Sequence, residues 1–148
     1  VSDPYKTRPG TGAYGAPMTL RFDAVGLVTA DLSASLAFYR RLGLDVPGDA
    51  GGPHVEAALP GGPRLLWDTA ESVRSFDPDR TPPSGGHAIT LAFACDSPED
   101  VDAVYAAFAA TGHGGRAPWD AAWGQRYAIL TDPDGNAVDL FAPLPAAD

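Results

Sequence analysis

The chain has 148 residues, 45% of them hydrophobic, which suffices for one substantial core and falls short of two full-size domains. Its formal charge of -9, with ten Lys and Arg residues scattered along the chain and only Arg40 and Arg41 adjacent, leaves no basic footprint for nucleic acid or an anionic membrane surface. A single cysteine, Cys95, excludes an intrachain disulfide and a multi-cysteine metal cage, and no apolar run approaches the roughly 20 residues that span a bilayer, so the expected setting is cytoplasmic.

Residues 1–18, VSDPYKTRPGTGAYGAPM, are rich in Gly and Pro and show neither apolar period. They read as a flexible N-terminal arm or a remainder left from expression, with a natural arm lying across a partner subunit as the competing view. GTGAYG within it follows no strand and opens no helix, so it carries no phosphate-binding reading.

The remainder divides into two similar halves, residues 19–68 and 87–144. The first opens with the strand-like FDAVGLVTAD and continues into LSASLAFYRRLG, where Leu32, Leu36, Tyr39 and Leu42 recur at helical spacing before Gly43. HVEAALPGGPRLLWD then reads as a hairpin around PGG. Residues 69–86 are taken as the linker. The second half opens with ITLAFACD and continues into SPEDVDAVYAAFAATG. There Ser97 suits the N-cap, Pro98 the first turn, and Glu99 and Asp100 the positive end of the helix dipole. Val101, Val104, Tyr105 and Phe108 form the apolar stripe of this helix, and Gly112 ends it. RYAILTDPDGNAVDLF closes the half as a second hairpin, before a tail at 145–148. With a further strand expected before each hairpin, the order βαβββ occurs twice, an internal duplication of about 55 residues per unit. The predicted fold is α+β: two paired βαβββ modules forming a curved mixed sheet with a concave cavity.

The opening AVGLVTADLSASLAFYRRLGL and the closing YAILTDPDGNAVDLF resemble the vicinal oxygen chelate superfamily, which includes glyoxalase I, extradiol dioxygenases and bleomycin resistance proteins. The resemblance covers about residues 20 to 144. It implies a homodimer and, in the enzymes, a divalent ion held at four positions of the concave surface, usually by His or Glu. Carried over residue by residue, those positions hold Ala24, Leu66, Thr90 and Asp139. Alanine and leucine cannot ligate, threonine is a poor ligand, and one carboxylate falls short of the three protein ligands common at catalytic ions. His87 lies three residues before Thr90, so in a continuous strand the two would point to opposite faces. No metal and no cofactor are therefore expected.

If Val25 and Leu27 face the helices, Ala24, Gly26, Val28, Thr90, Ala92, Ala94, Ala137, Asp139 and Phe141 line the concave side. Most are small, which leaves volume for a ligand. Trp119, Trp123, Tyr127 and Phe141 are candidate stacking surfaces, with Asp139 and Arg126 orienting polar groups and Glu56 and His54 as further polar candidates. Trp67 and Cys95 fall on the helix-facing side as core, and His113 in TGHGG reads as an exposed loop residue. The expected function is metal-independent binding of a small, largely apolar or aromatic molecule, as in antibiotic-sequestering relatives. The alternatives are a metal-dependent enzyme of the glyoxalase or dioxygenase type, and a scaffold whose cavity is filled by its own arm.

Overall fold

A computed structural model describes residues 10–11, 17–18, 20–48 and 52–146. Two dipeptides of the N-terminal arm, β1 (Gly10–Thr11) and β2 (Pro17–Met18), pair antiparallel. The remainder of that arm lies outside the described residues. The first half contains β3 (Ala24–Thr29), α1 (Leu32–Arg41), β4 (His54–Ala58) and β5 (Arg64–Thr69). After α2 (Ala70–Phe76), the second half contains β6 (Leu91–Ala94), α3 (Pro98–Ala109), β7 (Gly114–Ala121), β8 (Gln125–Thr131) and β9 (Ala137–Pro143).

Local chemistry sets the helix ends. The Asp31 side chain accepts a hydrogen bond from the Ala34 amide at 3.0 Å and starts α1; Ser97 accepts from the Asp100 amide at 3.2 Å and starts α3. Gly43 and Gly112, at φ of 92° and 86°, turn the chain out of the two helices in a conformation that L side chains rarely adopt.

Each half forms its own mixed sheet, in the orders β3-β5-β4 and β6-β9-β8-β7. In both, the opening strand runs parallel to the closing strand, and the closing strand is also paired antiparallel in a hairpin. The two halves are thus βαβββ-like modules, as the duplication predicts. The first sheet carries three strands: among the described residues no strand lies between α1 and β4, while the second module has β7 after α3 in the corresponding place.

One hydrophobic core joins the modules. Leu36, Phe38 and Tyr39 of α1 pack with Leu65 and Trp67 of β5, Val101 and Phe108 of α3, and Val138 and Leu140 of β9. Arg41 reaches across to α3, donating to the Ala107 carbonyl and the Thr111 hydroxyl and lying over the Phe108 ring. The Tyr39 hydroxyl donates to buried Asp132 in the DPDGN turn at 2.8 Å. Asp132 also accepts from the amides of Asp134 and Asn136 and from the Asn136 side chain, so one carboxylate ties the turn to α1. Among the described residues, no helix is long and apolar enough to cross a membrane.

His113 departs from the sequence reading. It is half-buried, its Nδ1 is 3.0 Å from the Thr131 carbonyl, and its ring meets Phe38 edge-on. Glycine neighbours suggest exposure, but a helix from the other module covers it.

Candidate functional site

The side chains that face away from the helices follow from strand parity and register. On β9, Val138, Leu140 and Ala142 are core residues, so Ala137, Asp139 and Phe141 present the opposite face. Cross-strand pairing then sets the rows. Trp119 pairs with Tyr127, Tyr127 with Phe141, and Phe141 with Ala94, while Ile129, Asp139 and Ala92 form the next row. This alternation brings Trp119, Tyr127, Phe141 and Asp139 together with Ala92 and Ala94, as expected.

Trp119, Trp123, Tyr127 and Phe141 form a continuous aromatic cluster. Trp119 and Trp123 each meet the Tyr127 ring with centroids 5.3 Å apart, and Phe141 stacks on Tyr127 at 6.4 Å. Trp123 sits in the turn between β7 and β8 with 63% of its surface exposed, and its indole N–H donates to Gln125 at 2.9 Å. The Arg116 guanidinium lies 3.7 Å over the Trp119 ring, so this cluster already holds one cation against a π face.

Asp139 lies beneath this cluster and is only 8% exposed. The Tyr127 hydroxyl donates to its Oδ2 at 2.5 Å, while its Oδ1 is buried without a partner. An unpaired buried polar atom is costly and uncommon in folded proteins; the Ser35 hydroxyl and the Trp67 indole N–H share this state, but both lie in the core, whereas Asp139 is on the helix-free face. Burial, then the hydrogen bond and charge of Asp139, pushes the Tyr127 hydroxyl up to about 12. Tyr127 therefore stays protonated at neutral pH and acts as a donor.

Arg126 does not join this group. It follows Asp120 and Ala142 onto the opposite face, where its guanidinium pairs with Asp102 of α3 at 2.8 Å and with Asp120 at 3.1 Å. Thr90 and His87 precede β6 and belong to no strand, so the alternation argument does not apply to either; His87 instead borders an open cleft beside the DPDGN turn.

Glu56 does lie on the helix-free face, but in the first sheet and within a charged chain that the sequence reading missed. Arg64 bridges Asp23 at 2.6 Å and Glu56 at 2.5 Å, and His54 lies between Glu56 at 2.8 Å and Asp68 at 2.7 Å. Hydrogen bonds to the carboxylates of Glu56 and then Asp68 raise the His54 pKa, and those accepted from His54 and then Arg64 lower that of Glu56. The signal was available: with Trp67 directed to the helices, residues 64, 66 and 68 must point the other way.

Register confirms the equivalence of Leu66 and Asp139, each the third residue of its closing strand. Leu66 pairs with Gly26 and Glu56, as Asp139 pairs with Ala92 and Ile129. Among the described residues, no group of three or more His, Cys, Asp or Glu side chains could hold a metal ion. Ala24, Leu66, Thr90 and Asp139 together offer one carboxylate and no imidazole, a donor set that does not fit a divalent ion.

A cavity of about 240 Å³ opens where the free edge of β3 meets the starts of β6 and β9. Gly26, Val28 and Ala137, three of the small residues expected to line a cavity, border it together with Leu91, Ile89 and Arg80.

The family model for the Glyoxalase/Bleomycin resistance protein/Dioxygenase superfamily matches residues 21–140. No curated protein matches the chain. Among solved structures it is similar to a glyoxalase/bleomycin resistance protein/dioxygenase from Nocardioides, with 24% identity, 92% of this chain and 91% of the other covered, and a TM-score of 0.68. A family enzyme of the same description from Burkholderia phytofirmans PsJN gives 22%, 83%, 98% and 0.72. A protein of unknown function from Agrobacterium tumefaciens gives 27%, 86%, 97% and 0.67.

Proposed function

The chain belongs to the glyoxalase/bleomycin resistance protein/dioxygenase superfamily, and from that premise we propose that it binds a small, largely apolar or aromatic molecule without a metal ion. The observation that carries this reading is the cluster of Trp119, Trp123, Tyr127 and Phe141 over Asp139. Exposed Trp123 and the neighbouring rings supply a stacking surface, and the unpartnered Oδ1 of Asp139 supplies an acceptor for a donor on the ligand. Arg126 is not part of this site. A cytoplasmic homodimer completes the proposal.

The rival reading is a metal-dependent enzyme acting on a small oxygenated substrate. The same buried carboxylate favours it, because Asp139 occupies a ligand position of the family enzymes.

Two measurements on purified protein separate them. Tryptophan fluorescence is followed during titration with planar anthraquinone and acridine probes, and calorimetry is run with Zn, Mn, Fe(II) and Ni. The binding reading expects saturable quenching that weakens severalfold to about tenfold in Trp123→Ala, the size of one aromatic contact. Absence of quenching by any probe overturns it. Stoichiometric, tight metal binding selects the enzyme.

A further inference from the structure

We infer that the cavity between the two modules is a second binding site, built for a small apolar molecule carrying one carboxylate. Its walls explain the apolar part. Four consecutive residues, Val25 to Val28 of β3, line it, which means that the strand is approached along its edge rather than on one face. Among the described residues that edge has no strand partner, because β3 stands at the end of its sheet; β6, which supplies Leu91, stands at the end of the other. Two open strand edges bring backbone N–H and C=O groups to a slot whose side-chain lining is apolar except for Arg80 and Asn136.

The charge of the lining explains the carboxylate. The chain carries nearly twice as many acidic as basic residues, nineteen against ten, yet none of the cavity's lining residues is acidic and one, Arg80, is cationic. Most arginines of the described residues are engaged: Arg21, Arg64 and Arg126 in ion pairs, Arg40 and Arg41 on carbonyls, Arg116 over Trp119. Arg80 makes no ion pair or side-chain hydrogen bond among the described residues, and its planar fork matches a carboxylate. In a protein of net charge -9, a guanidinium without a carboxylate partner beside an apolar slot is placed for an anion from outside.

Volume bounds the ligand. The cavity is smaller than the roughly 300–1,000 Å³ typical of sites for drug-sized ligands, so its occupant is shorter than those. It shares Pro83, Ile89 and Asn136 with the open cleft of about 440 Å³ beside His87, which provides a route of entry. This site does not depend on the aromatic cluster, and either can fail without the other.

The test is calorimetric titration of the full chain with hexanoate, hexanamide and hexylammonium, repeated on three variants. Hexanoate is expected to bind at least tenfold more tightly than the amide, with hexylammonium weakest. Arg80→Gln should remove that preference, a loss of about tenfold or more for a charge-assisted hydrogen bond. Gly26→Val fills the slot; a Cβ at Gly26 meets no atom within 4 Å, so the backbone accepts it, and binding of both hexanoate and hexanamide should fall. Arg74→Gln, at another arginine without an ion pair but away from the cavity, should change nothing. Equal affinity for acid and amide overturns the inference. So does an Arg74→Gln effect as large as that of Arg80→Gln, or failure of hexanoate to bind at millimolar concentration.

Discussion

Replacing Tyr127 with Phe isolates the hydrogen bond that defines the buried acid. In the native protein the hydroxyl is 2.5 Å from Oδ2 of Asp139, whose Oδ1 is already buried and unpartnered. The substitution keeps the ring in place and leaves both oxygens of a largely buried carboxylate without a donor. Hydrogen bonds to charged groups contribute about 1.5–3 kcal/mol. For a chain of this size, each kcal/mol shifts Tm by about 2–4 °C, so the fall should lie between about 3 and 12 °C. Urea unfolding at neutral pH, with calorimetric melting alongside, measures it. The double-mutant cycle with Asp139→Leu gives the decisive comparison: Tyr127→Phe should cost almost nothing once the acid is gone. A pH arm follows from the raised Tyr127 pKa of about 12 against about 10 in the unfolded chain. Its stabilisation is complete below pH 10 and disappears as pH climbs from 10 to 12, because only the unfolded state readily releases the proton. Tyr127→Phe should flatten that decline, leaving the part due to Tyr39, whose pKa burial also raises. The same destabilisation in the Asp139→Leu background, or none in the native one, would refute the assignment.

Two further outcomes test the charged face and the turn. The imidazole of His54 should titrate above the ordinary value of about 6.5 in NMR spectra, and Glu56→Gln should bring it down; its stabilising contribution is complete below pH 6.5 and fades as pH rises through the folded pKa. A midpoint at or below 6.5 would contradict the bridging geometry. Asp132→Ala removes four hydrogen bonds, including the link from Tyr39, and should cost about 3–5 kcal/mol by urea unfolding; a loss under about 1 kcal/mol would show that the turn does not depend on this carboxylate.

Legibility in the sequence followed the range of the forces involved. Ser97, Pro98, Glu99 and Asp100 announce α3 because capping is settled within four residues, and the alternation of AVDLF places Asp139 beside Phe141 because strand parity is local. Arg126 is adjacent to Tyr127, so the same parity sends it to the other face, where Asp102 of α3 lies too far along the chain to be read as its partner. The seven residues of α2, within the segment taken as a linker, are too few for an apolar period to stand out; its Thr69 cap and buried Val73 gain meaning only against β5 and β3. Likewise the ion-pair chain from Asp23 to Asp68 requires the register of β4 against β5, which depends on the whole sheet.

That chain also explains why two modules of like design have unlike helix-free faces. In the first, the row at Leu66 is flanked by His54, Glu56, Arg64 and Asp68, and each of these side chains has a hydrogen-bonded polar partner on the same sheet. Such a face satisfies its own polar groups; exposed pairs of this kind contribute little to stability and leave no side chain here waiting for a ligand. At the equivalent row of the second module, Asp139 has one donor for two oxygens and stands under rings rather than among cations. Burying a carboxylate this way lowers stability unless something else requires it. Between the two faces, Arg80 repeats the pattern in reverse, a cation without its anion beside an apolar slot. Asp139 beneath exposed rings and Arg80 beside an apolar slot, each uncompensated next to open space, are therefore where binding is to be sought, and the self-paired strip of the first sheet is where it is not.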